Sequence, residues 1–133
     1  MPDKATLARA KADLRAGKSP STAAGEFVRE EMEHVREGKH GARSPEQAIA
    51  IGLSKARRAG IPLKPPKKGQ AKKLTRRAAQ RAYEAGQGKR KAGAPSRKRS
   101  KAVSRVLKRE PKSTVSRGAL SRHAKRVARK RST

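Results

Sequence analysis

The chain has 133 residues, with 38 Lys and Arg set against 10 Asp and Glu, and its formal net charge is +28 at pH 7. Repulsion at this charge density opposes compaction unless a polyanion is bound, so we expect folding and binding to be coupled. The absence of cysteine excludes disulfides and thiolate metal sites. The longest apolar run, Ala48 to Leu53, is far shorter than the ~20 residues that span a bilayer, which predicts a cytoplasmic protein with no membrane span.

Large apolar side chains are scarce. Leu, Ile, Val and Phe together number 17, whereas alanine alone numbers 23. Alanine favours helix but buries little area. We therefore predict an all-α protein: a small N-terminal unit of about three helices, followed by basic helices and linkers that are largely disordered when nothing is bound.

Three helices are predicted in the N-terminal unit, residues 1–60. The first spans residues 3–16, with Asp3 as its N-cap, and the second spans residues 22–37, with Ser21 as its N-cap. The second helix carries Phe27 and Met32 at helical spacing. Glu30, Glu33, His34 and Glu37 are interpreted as its solvated face.

The third helix, residues 45–59, is the best specified element of the chain. Ser44, Pro45 and Gln47 supply an N-cap, a proline at the first helical position and a capping box, and Gly60 supplies the stop. Gly52 lies on its apolar face and would permit close approach of the second helix.

Charge changes abruptly at Gly60. Residues 1–60 carry 12 basic and 8 acidic side chains, whereas residues 61–133 carry 26 basic and 2 acidic ones. We therefore treat residues 61–133 as a second region, an extended tail rich in lysine and arginine that contains helical segments.

The first part of the tail is predicted to be a linker followed by a helix. Residues 61–69 (IPLKPPKKG) form a basic segment stiffened by proline. The helix that follows spans about 71–85, with Leu74, Ala78 and Ala82 as its apolar stripe between rows of cations.

The last part of the tail contains two further predicted helices. Residues 86–100 have the composition of a linker, and the helices span about 101–109 and 119–131, interrupted by Pro111. Their apolar residues are Val103, Val106 and Leu107 in one helix and Leu120, Ala124 and Val127 in the other.

Residues 26–63 contain a string that is typical of a known group of proteins. A KHG at Lys39 to Gly41 precedes SPEQAIAIGLSKARRAG at Ser44 to Gly60. This pattern resembles an uncharacterised family of short basic bacterial and phage proteins, whose members are often described as DNA-binding proteins. The resemblance implies a bacterial origin and a nucleic-acid role, with no catalytic residue to transfer. The tail resembles bacterial linker-histone-like proteins in composition only.

The side chains needed for catalysis are scarce. There is no cysteine, the three histidines are scattered, and aspartate occurs only at positions 3 and 13. Glu31 and His34 have the spacing of a di-metal helix. Glu37 and His40 repeat this spacing, but they follow directly in the chain and do not come from a second helix, as such a site requires. We expect no enzyme, no cofactor, no metal site and no small-molecule substrate.

The uncompensated cations instead predict nucleic-acid binding through phosphate contacts. The absence of interleaved aromatic residues favours duplex or folded nucleic acid over single strands. The predicted binding residues are Lys55, Arg57, Arg58, Lys67, Lys68, Lys72, Lys73, Arg76, Arg77, Arg81, Lys89, Arg90, Lys91, Arg97, Lys98, Arg99, Lys101, Arg105, Arg122, Lys125, Arg126, Arg129 and Lys130.

Three functions fit this charge distribution. The first is a bacterial, histone-like protein of the nucleoid that compacts duplex DNA without sequence preference. The second is a basic protein associated with structured RNA or the ribosome. The third is a binder of acidic proteins or of anionic membrane surfaces, although the apolar faces of the last helices are weak.

Overall fold

The computed structural model describes residues 3–39, 41–89 and 96–132. In these ranges the protein is all-α, as predicted, with six α-helices, one short 3-10 turn and no strand. The helices are α1 (Lys4–Arg15), α2 (Pro20–Glu37), α3 (Pro45–Arg58), α4 (Lys73–Gly86), α5 (Arg97–Lys108) and α6 (Arg117–Ser132), and the 3-10 turn is Lys112–Val115. None of these helices combines the length and the apolar character needed to cross a bilayer.

The ends of α3 lie where the sequence places them. Ser44 Oγ accepts the N–H of Gln47 at 3.1 Å, which caps the helix. The Gln47 side chain accepts the N–H of Arg43 at 2.6 Å, one residue before the position of a standard capping box. Gly60 has a φ of +98°, a conformation that favours glycine and ends the helix.

Two other helices begin earlier than predicted, because serines upstream of the predicted starts cap them. Ser19 Oγ accepts an N–H from the first turn of α2 at 3.3 Å, so α2 begins at Pro20 and Ser21 is not its cap. Ser96 Oγ accepts an N–H of α5 at 3.4 Å, and α5 therefore takes in the end of the predicted linker 86–100.

The start of α1 differs from the prediction in how it is capped. The Asp3 side chain makes no capping hydrogen bond, and the Asp3 N–H donates instead to Glu30 Oε1 at 2.7 Å. Glu30 is buried, as is Glu31, so the interpretation of Glu30 as part of a solvated face was wrong. A backbone donor at a helix start needs an acceptor, and here a carboxylate from α2 supplies it.

Packing divides the chain differently from charge. The first compact unit consists of Met1–Glu30 and Ile51–Ala94, and the second of Glu31–Ala50 and Pro95–Thr133, as far as these residues are described. Each unit draws on residues before and after Gly60. The charge boundary at Gly60 is thus a property of the sequence that does not coincide with the boundary between the compact units.

The core of the first unit is built mainly from alanine around one aromatic ring. Its fully buried members are Phe27, Ile61 and four alanines, Ala10, Ala23, Ala24 and Ala56. Half-buried leucines of α1, α3 and the segment after α3 pack around them. Because Ile61 belongs to this core, the predicted linker 61–69 begins inside the fold.

Helices α2 and α3 approach closely at Gly52, as predicted. A β-carbon placed on Gly52 would lie 2.6 Å from Val28 Cα and 2.9 Å from Val28 N. The contact on α2 is therefore the backbone at Val28, next to Phe27. Only glycine permits this distance between the two helices.

The buried face of α4 agrees with the predicted one only at Ala82. Ala79 and Ala82 are buried, whereas Ala78 is exposed and Leu74 is 78% exposed. Gly86 continues the buried face, because a β-carbon there would overlap the carbonyl oxygen of Arg57. The helix packs through its smallest side chains, which allow its backbone to come close to the rest of the first unit.

The second unit contains the end of α2, the start of α3, α5, the 3-10 turn and α6. Its buried apolar residues include Val35, Ala48, Val115 and Ala119. Arg36 Nε donates to the carbonyl oxygen of Val115 at 3.1 Å, which fastens the 3-10 turn to α2.

Two glycine substitutions in the first unit should have opposite effects on stability. Gly52→Ala forces a β-carbon into the α2 backbone, and overpacking of this kind costs about 1–3 kcal/mol. Gly25→Ala lies in α2 with no atom within 4 Å of the added carbon and should stabilise the helix by about 0.5–1 kcal/mol. Urea denaturation followed by far-UV circular dichroism measures both, and equal effects would contradict the close packing at Gly52.

Candidate nucleic-acid interface

The exposed face of α4 is a row of cations. Lys73, Arg77 and Arg81 are four residues apart and exposed, on the side of the helix away from buried Ala79 and Ala82. Like charges at this spacing repel along an isolated helix. Here the helix is held by its alanine face, so the cations are presented to solvent at fixed spacing.

Helices α5 and α6 also carry many cations. All six basic residues of α5 are exposed, and that helix contains no acidic residue. On α6, Arg122, Lys125 and Arg129 are exposed, while Leu120 and Val127 of the predicted apolar face are half-buried and Ala124 is exposed. The three arginine and lysine side chains lie on one side of α6, at a spacing of three and four residues.

Arg57 and Arg58 are neighbours in sequence with different roles. Arg57 is only 8% exposed, and its guanidinium donates to the carbonyl oxygens of Leu63 at 3.1 Å and Lys64 at 3.3 Å. Burial lowers the pKa of Arg57, because desolvation disfavours the charged form. Arg58 is exposed. Arg57 therefore holds the segment after α3 in place, and we exclude it from the candidate interface.

The second unit brings three arginines to one polar groove. Arg43, Arg122 and Arg126 line a cavity of about 330 Å³ together with Ser113 and Thr114. Guanidinium groups and hydroxyls are the side chains that bind phosphate oxygens. Arg43, in the loop before α3, was not among the predicted binding residues, because its neighbours Arg122 and Arg126 are far away in the chain.

One carboxylate lies in this groove among the arginines. Glu46 Oε1 is 2.9 Å from His123 Nδ1 and 3.5 Å from Arg126 Nη2. The pKa of Glu46 is lowered, first by a hydrogen bond from its own backbone N–H and then by His123. A carboxylate thus occupies the start of α3, where the free backbone N–H groups of a helix N-terminus favour an anion.

The amide and aromatic side chains that read bases are scarce and already engaged. The sequence has no asparagine and four glutamines, and each glutamine hydrogen-bonds within the protein. Tyr83 is half-buried and is the last aromatic residue of the sequence. The described surface thus has arginine and lysine for phosphate contacts but few groups for adenine readout or base stacking.

The structure leaves most of the predicted binding residues at the surface. Lys55 and Arg76 are half-buried, Arg57 is buried, and Arg90 and Lys91 lie outside the described residues. The exposed ones are Arg58, Lys67, Lys68, Lys72, Lys73, Arg77, Arg81, Lys89, Arg97, Lys98, Arg99, Lys101, Arg105, Arg122, Lys125, Arg126, Arg129 and Lys130. They are distributed over both compact units.

Arg57→Gln and Arg58→Gln should separate stability from binding. Arg57→Gln removes a buried hydrogen-bonded charge and should lower the free energy of unfolding by about 1–3 kcal/mol. Arg58→Gln should leave stability unchanged within about 0.5 kcal/mol. Urea denaturation measures this difference, and a stability loss at Arg58 equal to that at Arg57 would contradict the assignment.

Glu46 should contribute to stability in a way that depends on pH. Because its folded pKa is lowered, the contribution is present above the unfolded value and is lost as pH falls through the folded pKa. The side chain is 53% exposed, so we expect Glu46→Gln to cost only about 0.2–1 kcal/mol at pH 7. Denaturation of both proteins from pH 7 to pH ~3 tests this, since their difference should shrink with acidification. A difference that is constant with pH would exclude the ionised carboxylate of Glu46 as its source.

Comparison with protein-family models, with curated proteins and with solved structures finds no match. The resemblance of residues 26–63 to short basic bacterial and phage proteins stays a prediction from the quoted string.

Proposed function

We propose that this protein binds duplex DNA without sequence preference and compacts it, in the manner of a histone-like protein of the bacterial nucleoid. The observation that carries the proposal is the exposure of nearly every cation of α4, α5 and α6, on helices that contain almost no acid. Exposed charge in this excess is more than solubility requires. A polyanion with one negative charge per ~1.7 Å of duplex axis neutralises it and releases counterions.

The mechanism is contact with phosphates by cations held on helices. The rows on α4 and α6 repeat every three or four residues, so each row presents charge along one line. In the second unit, Arg43 and Arg122 line a groove of about 330 Å³, which also holds Glu46. Cations on both units would let one protein contact more than one stretch of DNA, which is what compaction requires.

Sequence preference is expected to be weak. All four glutamine side chains are engaged in hydrogen bonds within the protein, and asparagine is absent. These are the side chains that read adenine in the major groove. Arginine can read guanine, but arginines spread over several helices are better suited to follow the backbone.

Removing cations from α6 should weaken duplex binding and its dependence on salt. We expect affinity to fall about 10³- to 10⁵-fold between 50 and 200 mM salt if roughly 6 to 10 phosphates are contacted. The triple variant Arg122→Gln, Lys125→Gln, Arg129→Gln should reduce the slope of log affinity against log salt by about 2 to 3. Fluorescence anisotropy with a labelled duplex of mixed sequence measures both quantities.

A matched variant removes the same charge elsewhere. Lys4, Lys11 and Arg15 are exposed on α1, outside the proposed interface, and their substitution by glutamine should leave the slope nearly unchanged. Equal effects of the two triple variants would mean that net charge alone governs binding.

A parallel titration with structured RNA decides between the two nucleic acids. If the protein binds RNA more tightly than duplex DNA, and with less dependence on salt, RNA is the ligand and the DNA proposal is wrong.

A further inference from the structure

The second unit has an apolar groove that nucleic-acid binding does not explain. Val103 and Val106 of α5 are 51% and 43% exposed. With Ala102 and Leu107 they line a groove of about 190 Å³, whose other wall is formed by Arg43 and Gln47. Two exposed valines side by side on a helix with six cations are not required for phosphate contact.

The walls of this groove are fixed by short-range contacts. A β-carbon on Gly41 would overlap the carbonyl oxygen of Leu107, so the loop before α3 lies directly against the end of α5. Gln47 in turn is held by the N–H of Arg43 at 2.6 Å. The groove therefore exists in the unbound protein and does not need to be opened by a ligand.

The charges around the groove determine which occupant fits. Arg99 lies one helical turn before Val103, Arg43 forms part of the wall, and α5 has no acidic residue. A second copy of this chain would bring the same cations to the groove and be repelled. The phosphates and sugars of DNA would meet the cations but leave the valines in water. An occupant must therefore be apolar at its centre and acidic at its edges.

Such an occupant is a helix with leucine-like residues on one side and carboxylates beside them. An anionic membrane also has both properties, but insertion into a bilayer depends on protruding bulky side chains such as Trp, Phe or several Leu. On α5 the apolar residues are two valines, one alanine and the half-buried Leu107, and they line a recess. A recess of this size accepts one or two side chains of a partner.

We propose that the groove of Val103, Val106 and Arg43 binds an acidic amphipathic helix of a partner protein. Apolar side chains of the partner enter between α5 and the start of α3, and its carboxylates pair with Arg43 and Arg99. This inference goes beyond DNA binding: it shares Arg43 and Arg99 with the proposed function, but it depends in addition on the exposed valines, which DNA binding does not use.

The test uses the full chain and a synthetic helical peptide of leucine and glutamate, with the leucines at helical spacing. A scrambled peptide of identical composition serves as the ligand control, because it has the same charge but no apolar face. We expect the amphipathic peptide to bind more tightly than the scrambled one. The double variant Val103→Ser, Val106→Ser should reduce this preference by roughly tenfold.

The matched control is Leu74→Ser, which removes a still more exposed apolar residue from α4, in the first unit. This variant should keep the preference for the amphipathic peptide. The valine variant should retain its helical circular dichroism and its affinity for duplex DNA, so failure of the groove and failure of the DNA proposal are distinguishable.

Three results would overturn the proposal. The first is equal binding of the amphipathic and scrambled peptides, and the second is an equal loss in the Leu74 and valine variants. The third comes from vesicles of phosphatidylserine and phosphatidylcholine: if the valine variant loses vesicle binding but not peptide preference, the groove serves a membrane surface.

Discussion

Close backbone contact at glycine is the interaction on which the rest of this structure depends. The chain has few large apolar side chains, so helices gain little by meeting through bulky residues. Instead, Gly52 brings α3 against the backbone of α2, Gly86 brings α4 against the end of α3, and Gly41 brings its loop against α5. At each of these contacts the backbones lie so close that large side chains are not needed to fill the space between them. For this reason alanine can serve as the main core residue around Phe27.

This manner of packing also explains how so many cations come to be exposed. A helix that packs through glycine and alanine needs only a narrow buried face, and its other positions can carry charge. On α4 the buried face is Ala79 and Ala82, and even Leu74 lies at the surface. The helices therefore hold lysine and arginine at regular spacing in spite of repulsion, and that spacing is what the proposed DNA contact uses.

Some ionisable side chains form hydrogen bonds or ion pairs within the protein, and these differ from the exposed ones that a ligand can contact. Arg57 is buried on backbone carbonyls, Glu30 accepts the N–H at the start of α1, and Glu46 pairs with His123 in the arginine-lined groove. Each is a charged group committed to a partner in the protein. The proposed nucleic-acid binding and the proposed partner binding share Arg43 and Arg99, but only partner binding needs the exposed valines of α5.

The sequence by itself determined the helical class, the approximate helix positions, the ends of α3 and the place of Gly52, because caps, proline, glycine and spacing act locally. Only the tertiary structure decided which of two adjacent arginines is buried, which face of α4 packs, and that Arg43 meets the arginines of α6. Burial and proximity depend on residues distant in the chain, and a composition of lysine, arginine and alanine marks no unique face for packing. For the same reason the groove of Val103 and Val106 belongs to the tertiary structure, since it forms where the loop of Gly41 packs against α5.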